Sequence, residues 1–343
     1  MTLQERLSSG PVICAEGYLF ELERRGYLQA GAFVPEVVLE RPEKVAQLHE
    51  EFVHAGSDVV EAFTYYAHRE KLRVIGRAGD LEPLNRGALE IARQVAAEHG
   101  ALLAGNVCNT NVFEPDDAET VGKVRDMFAE QVRWAADAGV DFVIGETFWW
   151  AQEALLALQV IADAGLPAVI TLAPHRSGRT REDWSYAEAC RRLADAGAVV
   201  VGLNCIRGPQ TMAPLLGDIV GAVDVPVAAL PVPYRTDVEQ PTFQSLRDPV
   251  YEGLPGGMPF PTALDPFTCN RYEMADFATA ARALGVRYFG VCCGAAPHHV
   301  RAVAEALGRR PPASRFSADM SKHAFLGTDR ALAPQEVDIA TRL

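Results

Sequence analysis

Residues 142–172 read FVIGETFWWAQEALLALQVIADAGLPAVITL and contain the pattern that decides the fold. The apolar runs Phe142–Gly145 and Ala168–Leu172 are typical of parallel strands that are buried on both faces. Between them, Gln152–Ala164 has the apolar spacing of an amphipathic helix. Gly165 follows this helix, where a left-handed residue commonly ends a helix. The stretch therefore predicts a strand–helix–strand unit.

The same alternation extends over most of the chain. Six further apolar, β-branched runs predict strands at Val12–Cys14, Val59–Phe63, Leu102–Gly105, Val199–Leu203, Val227–Leu230 and Tyr288–Val291. Helical spacing recurs at Pro42–Ala55, Glu119–Ala138, Tyr186–Ala196, Tyr272–Leu284 and His298–Leu307, and glycines follow helices at positions 56, 100, 139, 197 and 285. Eight strands that alternate with helices predict a (β/α)8 TIM barrel. A doubly wound open sheet fits less well, because no G-x-G-x-x-G motif follows the first strand.

Two segments lie outside the repeat. The connection Pro231–Asn270 is rich in proline and glycine, and a connection of this length in a compact domain is usually a lid or a binding loop. Beyond Gly308 the chain is mixed in character and contains Phe316 and Met320. We therefore expect a barrel domain over residues 1–308. A C-terminal extension over residues 309–343 would pack on the barrel or on a partner subunit.

Composition narrows the classes of function. Apolar residues make up 49% of the 343 residues, which is enough for a large core, and the net charge of −13 argues against binding nucleic acid. No uncharged apolar run is long enough to span a membrane, and the first ten residues do not resemble a signal peptide. We expect a cytoplasmic enzyme with small-molecule substrates, in which cysteines bind metal, react or are buried.

In a TIM barrel the carboxyl ends of all strands open onto the face that carries the active site. Residues at these predicted ends include Glu16, Thr64–Tyr66, Asn106, Glu146, Thr171, Asn204–Cys205, Pro231–Tyr234 and Cys292–Cys293. Cys205 and the Cys292–Cys293 pair end strands six and eight, so the three thiols can meet over one rim. The other four cysteines, at positions 14, 108, 190 and 269, are interpreted as small buried apolar residues.

Three thiolates with one open position are typical of catalytic zinc, whereas structural zinc usually has four protein ligands. A thiol that binds zinc is deprotonated, although a free thiol has a pKa near 8.5. A zinc site that is rich in thiolate favours alkyl transfer to a substrate sulfur over activation of water. The sequence thus predicts Zn²⁺ bound by Cys205, Cys292 and Cys293.

Several motifs resemble those of homocysteine S-methyltransferases, most closely the betaine–homocysteine methyltransferases. They are the opening motif Glu16–Gly26 and the two zinc motifs Gly202–Cys205 and Gly290–Gly294, with further similarity at residues 26–31, 48–52, 62–67, 91–96, 231–236 and 285–288. The resemblance extends from residue 10 to about residue 308. It implies a barrel in which the homocysteine thiolate completes the zinc site.

The resemblance also implies roles for single residues. Glu146 matches the acidic residue that holds the homocysteine amino group, and Tyr66 matches one wall of an aromatic cage around the donor. Asn204 either orients the neighbouring thiolate or is an ordinary residue of a strand-end turn. His298 and His299 are interpreted as surface residues at the start of a helix.

The chain departs from the family at both substrates. Where the family usually has Asp-Gly-Gly or Asp-Gly-Ala after the first strand, this chain has Ala15-Glu16-Gly17. The carboxylate is thus displaced by one position, and Glu16 is the candidate replacement for the aspartate. Phe33 stands where the family tends to have Trp, and Thr147 stands where it has Tyr. Phe148, Trp149 and Trp150 follow Thr147 and are either donor contacts or core packing. A cage changed in this way implies a methylated onium donor that need not be glycine betaine.

The reaction expected from the sequence is methyl transfer from a betaine-like quaternary ammonium to the thiolate of L-homocysteine. A sulfonium such as S-methylmethionine is the alternative donor. Two other classes stay open: a zinc-dependent barrel hydrolase with Glu146 as base, and a non-catalytic redox or metal sensor that uses Cys292–Cys293. A homodimer is also left open, because the tail is short compared with the long arm of the betaine enzymes.

Overall fold

The computed structural model describes residues 1–250, 253–328 and 332–342. In these residues eight parallel strands close into a barrel in chain order. They are β1 Val12–Ala15, β2 Val59–Glu61, β3 Leu102–Cys108, β4 Phe142–Phe148, β5 Ala168–Leu172, β6 Val200–Asn204, β7 Val227–Leu230 and β8 Tyr288–Val291. The ring closes where Val12–Ala15 of β1 pair with Tyr288–Val291 of β8. The predicted (β/α)8 barrel is confirmed, and the open sheet is excluded.

Strand boundaries differ from the prediction at several carboxyl ends. β2 ends at Glu61, two residues before the predicted end, whereas β3 and β4 each continue three residues further, to Cys108 and Phe148. β6 is displaced by one residue and ends at Asn204. The carboxyl ends that differ lie at the active-site face, where side chains leave the regular alternation of a strand.

Among the described residues, thirteen α-helices accompany the strands. They are α1 Leu3–Ser9, α2 Tyr18–Arg24, α3 Val37–Glu40, α4 Pro42–Ala55, α5 Arg69–Val74, α6 Leu81–His99, α7 Ala118–Asp137, α8 Ala151–Asp163, α9 Tyr186–Asp195, α10 Pro209–Val220, α11 Arg271–Leu284, α12 Pro297–Ala306 and α13 Pro334–Arg342. Helices α4 and α6–α12 are those that alternate with the strands. The helical spacing described above missed α6 and α10, which contain Gly87 and Pro214, residues that are unfavourable inside helices.

The predicted helix-ending glycines are confirmed. Gly56 (φ 119°) and Gly285 (φ 112°) are left-handed caps of α4 and α11, and each donates its N–H to a carbonyl of the last helical turn. The other four glycines that were predicted at helix ends also have positive φ. Each turns the chain at the end of the barrel opposite to the active site.

The core has two layers. An inner layer fills the barrel and includes Val59, Phe142 and Tyr288, and it also contains Leu3 and Leu7 of α1. A larger outer layer lies between the strands and the surrounding helices. Because the inner layer is apolar, polar side chains inside the barrel are concentrated at the carboxyl ends of the strands.

The buried carboxylate of Asp58 joins three parts of the chain at the amino-terminal end of β2. It accepts hydrogen bonds from Arg6 Nη1 at 3.0 Å and from Arg309 Nη2 at 2.6 Å. Its other oxygen accepts from the backbone of Ile13 at 2.9 Å. One side chain thus holds together α1, β1 and the segment that follows α12.

The two segments outside the repeat differ in how they pack. In the long connection 231–270, Tyr234, Phe243 and Leu264 are buried, so the described part of it is packed rather than loose. Residues 251 and 252, which belong to the predicted lid, lie outside the described residues. In the extension, Ala313 is buried and Ser314 donates to Glu305 of α12, whereas α13 has no buried residue. No helix in the described residues is long and apolar enough to cross a membrane.

Candidate active site

Three thiols converge at the carboxyl ends of β6 and β8. The Sγ atoms of Cys205, Cys292 and Cys293 all lie within 4.8 Å of one another, and those of Cys292 and Cys293 are 4.0 Å apart. Sulfur atoms about 2.3 Å from a tetrahedral zinc ion would be about 3.8 Å from each other. This thiol cluster therefore fits a zinc ion that has three protein ligands and one open position.

Both parts of the thiol cluster are attached to the end of β7. The backbone N–H of Cys205 donates to Leu230 O at 2.9 Å, and that of Cys292 donates to Pro231 O at 3.0 Å. Cys205 and Ile206 then adopt left-handed φ values of 60° and 61°. This conformation is strained for a β-branched residue such as Ile206, and strain of this kind is concentrated at functional sites.

The three thiols differ in how readily each loses a proton. Hydrogen bonds from Cys292 and Cys293 hold the pKa of Cys205 well below its ordinary value. Burial, followed by the interaction with Cys205, raises the pKa of Cys292. One thiolate is thus favoured in the cluster without metal, and the other two thiols must lose their protons when a metal binds.

A narrow cavity lies beside the thiol cluster, inside the mouth of the barrel. Its walls are formed by Glu16, Tyr18, Leu19, Glu61, Ala62, Phe63, Tyr65, Asn106, Glu146, Cys292 and Cys293. We call it the acidic cavity, because Glu16, Glu61 and Glu146 are buried carboxyl groups in its wall, exposed to 6%, 2% and 5%. Oxygen atoms of Glu16 and Glu146 also lie within 4.8 Å of Cys292 Sγ.

Two buried amides connect the three carboxyl groups. Asn106 Nδ2 donates to Glu61 Oε1 at 2.6 Å and to Glu146 Oε1 at 2.7 Å. Asn204 Nδ2 lies 2.8 Å from Glu146 Oε2, 3.3 Å from Glu16 Oε2 and 3.8 Å from Cys292 Sγ. Because Asn204 also accepts the N–H of Thr147 at 2.9 Å, the orientation of its amide is fixed. Asn204 is therefore part of the site and more than a residue of a strand-end turn.

Burial raises the pKa of each carboxyl group in the acidic cavity. For Glu146 the pKa rises to about 7, with hydrogen bonds from Asn106, Thr147 and Asn204 opposing the effect of burial. For Glu16, burial acts first and repulsion from Glu146 and Glu61 adds to it. The pKa of Glu61 is raised by burial and then by Glu146. A cation in the cavity would favour the ionised forms of all three groups.

The structure separates the two tyrosines that follow β2. The ring of Tyr65 lines the acidic cavity, and the ring of Tyr66 lies beneath the ammonium of Lys71, with Nζ 4.0 Å from its centroid. Tyr66 has a left-handed φ of 59°, and the two rings are 4.3 Å apart. The residue expected to contact the donor thus lies one ring away from the cavity, and its role stays a prediction.

The remaining expected donor residues lie in three different surroundings. Phe33 is half-buried and stacks on Phe20, with ring centroids 5.4 Å apart. Thr147 donates its hydroxyl hydrogen to Glu146 Oε2 at 3.0 Å, so it belongs to the polar network. Phe148 is 1% exposed and packs edge-on against Phe128 of α7, which places it in the outer core layer. Core packing therefore accounts for Phe148.

Gly17 and the tryptophans after Thr147 also have defined places. Gly17 lies so close to the loop after β8 that an added Cβ would be 2.5 Å from Ala295 Cβ. Trp149 and Trp150 are half-buried, and the guanidinium of Arg181 lies 5.8 Å and 5.1 Å from their rings. Gly17 thus allows close packing, and neither tryptophan is part of the cavity wall.

The two histidines after β8 differ in burial, and the cysteines outside the thiol cluster are all buried. His298 is exposed as predicted, but the prediction for His299 is wrong: it is fully buried, with Nε2 2.9 Å from Cys269 O. The other four cysteines are buried, as predicted. Cys14, however, lies with its sulfur within 4.8 Å of oxygens of Glu16 and Glu61, beneath the cavity.

Glu61 is a cavity residue that the sequence reasoning missed, and Tyr65 was placed at the active-site face without a role of its own. A sequence signal existed for Glu61, because it is the only charged residue in the otherwise apolar run Val59–Phe63. A charged side chain in a buried strand is rarely placed there without a partner or a function. For Tyr65 no comparable signal exists, since it adjoins a second tyrosine.

Comparison with protein-family models gives a match over most of the chain. The model described as homocysteine S-methyltransferase matches residues 13–307. Among curated proteins, betaine–homocysteine S-methyltransferase 1 of Xenopus laevis is 36% identical over 337 residues, which cover 95% of this chain and 80% of the relative. The corresponding protein of Danio rerio is 37% identical over 331 residues, covering 94% and 79%.

A relative with a different methyl donor in its name is equally similar. S-methylmethionine–homocysteine S-methyltransferase BHMT2 of Mus musculus is 35% identical over 322 residues, which cover 90% of this chain and 83% of the relative. Among solved structures, the metallated form of the homocysteine methyltransferase MmuM from Escherichia coli superposes with a TM-score of 0.68. It is 20% identical, and the match covers 88% of this chain and 98% of that one. This structural likeness supports the fold.

Proposed function

This chain belongs to the homocysteine S-methyltransferase family, and from that premise we propose that it methylates the thiolate of L-homocysteine to give methionine. The proposed methyl donor is a betaine-like quaternary ammonium compound. The observation that supports the proposal is the position of the thiol cluster beside the acidic cavity, with Cys292 in both. A substrate that carries both a thiol and an ammonium group would match these two neighbouring surroundings.

The thiol cluster would hold Zn²⁺ through Cys205, Cys292 and Cys293. Bound there, zinc would act as a Lewis acid that makes a fourth, substrate thiol ionised at neutral pH. The hydrogen bond from Asn204 Nδ2 toward Cys292 Sγ at 3.8 Å would orient that ligand. The protein thus supplies both the ligands and a group that fixes one of them.

Glu146 and Glu16 would bind the amino group of the substrate. Both carboxyl groups are buried, and both are held by the amide of Asn204. A carboxylate that is fixed by hydrogen bonds loses little freedom when it binds an ammonium group. The substrate sulfur would then be aligned for attack on the donor, because two points of the same small molecule are fixed.

The transfer itself requires no proton acceptor among the side chains. An electron pair of the substrate sulfur forms the new bond to the methyl carbon, and the carbon–nitrogen bond breaks with its electron pair leaving on the amine. The product amine and the thioether are both uncharged at the reacting atoms. Exclusion of water by the apolar side chains of the cavity wall, such as Leu19 and Phe63, would favour this loss of charge.

A sulfonium donor is the second candidate. Thr147, which stands where betaine enzymes have tyrosine, uses its hydroxyl within the polar network and offers no aromatic face. The murine relative that is named for S-methylmethionine matches this chain as well as the betaine enzymes do. Either donor carries a positive charge that the face of Tyr65 could attract.

The test is to detect methionine by mass spectrometry from zinc-loaded protein, L-homocysteine and glycine betaine, with S-methylmethionine as donor in a parallel reaction. Methionine together with an equal amount of dimethylglycine is the expected result. If methionine formed only with S-methylmethionine, the proposed methyl transfer would stand, and the donor would be a sulfonium compound. No methionine from either donor, with zinc bound, would contradict the proposed reaction.

A further inference from the structure

The acidic cavity contains one carboxyl group more than the proposed function uses. Glu61 is 2% exposed, lies in the cavity wall, and shares the amide of Asn106 with Glu146. Its oxygen lies within 4.8 Å of an oxygen of Glu16. One small ligand in the cavity can therefore contact all three carboxyl groups.

The atoms that remain open in this cavity are hydrogen-bond acceptors. Glu16 Oε1 and Asn106 Oδ1 are buried and have no partner among the described residues. The amide orientation of Asn106 is set by its nitrogen, which donates to both Glu61 and Glu146, so its oxygen is the free atom. A ligand that satisfies these atoms must bring N–H or O–H donors.

The cavity also lacks a cationic partner among the described residues, and burial without one raises the pKa of its three carboxyl groups. None of the ion pairs among the described residues includes Glu16, Glu61 or Glu146. Buried carboxylates are costly unless a positive charge or several hydrogen bonds stabilise them. The ligand that fits is therefore a cation that carries N–H donors.

We propose that Glu61 is a third carboxylate of an ammonium-binding cavity, and that it makes the enzyme specific for thiols with a primary amino group. The inference rests on the proposed function and deepens it, since the amino thiol is its substrate. The three N–H donors of one ammonium group would be accepted by the three carboxyl groups, Glu16, Glu146 and Glu61, beside the open Oδ1 of Asn106. Glu61 thus acts on substrate selection, whereas the thiol cluster acts on the sulfur.

Glycine betaine, the first proposed methyl donor, does not fit the same atoms. Its quaternary ammonium centre has no N–H and cannot satisfy buried acceptors by hydrogen bonding. Such a centre is attracted by aromatic faces instead. Glu61 is therefore assigned to the amino thiol.

The experiment measures binding of two thiols to zinc-loaded protein by calorimetry. One is L-homocysteine, and the other is 4-sulfanylbutanoate, the same thiol without the amino group. Glu61→Gln keeps an oxygen that can accept from Asn106 and removes the charge. We expect the Kd for L-homocysteine to rise by about 10- to 100-fold, because one charged hydrogen bond is lost. The Kd for 4-sulfanylbutanoate should change by less than about twofold.

Glu153→Gln is the matched control. Glu153 is also buried, at 1% exposure, and its carboxylate accepts from the backbone and hydroxyl of Thr110 outside the cavity. This variant should bind both thiols as the wild type does. If Glu61→Gln weakened both thiols equally, or raised only the KM for the methyl donor, the assignment of Glu61 to the amino group would be overturned.

The outcomes separate this inference from the proposed function. Binding of L-homocysteine in preference to 4-sulfanylbutanoate, without any methyl transfer, would overturn the reaction and leave the ammonium cavity. Methyl transfer by a protein that binds both thiols with equal affinity would overturn the ammonium cavity and leave the proposed reaction. Failure of the zinc-loaded wild type to bind either thiol would overturn both.

Discussion

Asn204 Nδ2 lies 2.8 Å from Glu146 Oε2, and Asn204 directly precedes Cys205 in the chain. The residue that fixes the carboxyl group and the residue that contributes a thiol to the cluster are therefore neighbours. Asn204 is completely buried at the end of β6, and its oxygen accepts the N–H of Thr147 from β4. Movement of either strand would disturb both the ammonium site and the thiol cluster.

Asn204→Ala removes the hydrogen bonds to Glu16 and Glu146. We expect kcat/KM for L-homocysteine to fall by about 100-fold, because charged hydrogen bonds that orient the substrate are lost. Asn85→Ala is the control, since Asn85 is equally buried but donates to Ala67 O and Leu81 O away from the cavity. Steady-state kinetics on both folded variants make the comparison. Equal losses in the two variants would point to general destabilisation.

Cys205→Ala should abolish stoichiometric zinc binding. Two thiolates and no third ligand hold zinc far less tightly than three. The metal content is measured by mass spectrometry after dialysis against a weak chelator. Cys190→Ala, in which a buried cysteine of α9 is replaced, should retain about one zinc per chain. Undiminished zinc in Cys205→Ala would exclude the three-thiolate site.

Gly202→Ala should destabilise the barrel strongly. A Cβ at this position of β6 would lie 2.1 Å from Ala228 O of the neighbouring strand, and backbone cannot move aside cheaply. The expected loss in the free energy of unfolding is about 4 kcal/mol or more, measured by urea denaturation. In contrast, Gly122→Ala within α7 meets nothing within 4 Å and should stabilise the protein by about 0.5–1 kcal/mol. Similar effects at both glycines would contradict this packing argument.

His49 makes the protein sensitive to acid. Burial lowers the pKa of His49 to about 3, and neither ring nitrogen has a hydrogen-bond partner in the part of the chain that the structure describes. In the unfolded chain a histidine takes up a proton below about pH 6.5, so folded stability is lost as the pH falls from that value. His49→Phe, which keeps a ring against Tyr18, should make the free energy of unfolding fall less steeply, by about 1.4 kcal/mol per pH unit.

The measurement for His49 is urea denaturation at several values between about pH 4 and pH 6. His54→Phe on the exposed side of the same helix is the control for loss of one imidazole and addition of one phenyl ring. Parallel pH curves for wild type and His49→Phe would show that other groups cause the acid sensitivity.

The sequence was sufficient for the barrel and for the meeting of the three thiols. Both follow from the repeated alternation, because a closed ring of parallel strands brings the ends of β6 and β8 to one rim. Zinc, the cytoplasmic location and a homodimer stay predictions. The methyl donor also stays open, since it depends on side chains beyond the strand ends.

The alternation of strands and helices in the sequence could not predict the direction of side chains just past a strand end. The pairing register of β4 with β5 changes between Gly145 and Phe148, and Thr147 has a left-handed φ of 59°. Glu146 and Phe148 therefore do not share a face, although residues two apart in a regular strand would. The left-handed Tyr66 marks a similar break after β2. Left-handed residues other than glycine leave little trace in a single sequence, which is why the sequence could not show that Tyr65, and not Tyr66, lines the cavity.

Asp58 has a consequence for the order in which the chain can be assembled. Because Arg6 and Arg309 contact the same carboxylate, positions far apart in sequence meet on the side of the barrel away from the acidic cavity. A linker that replaces residues 310–343 could join the chain there, and new ends could be opened at exposed Gly139 between α7 and β4. Such a circular permutant would begin with the strand that carries Glu146 and would still close the same ring.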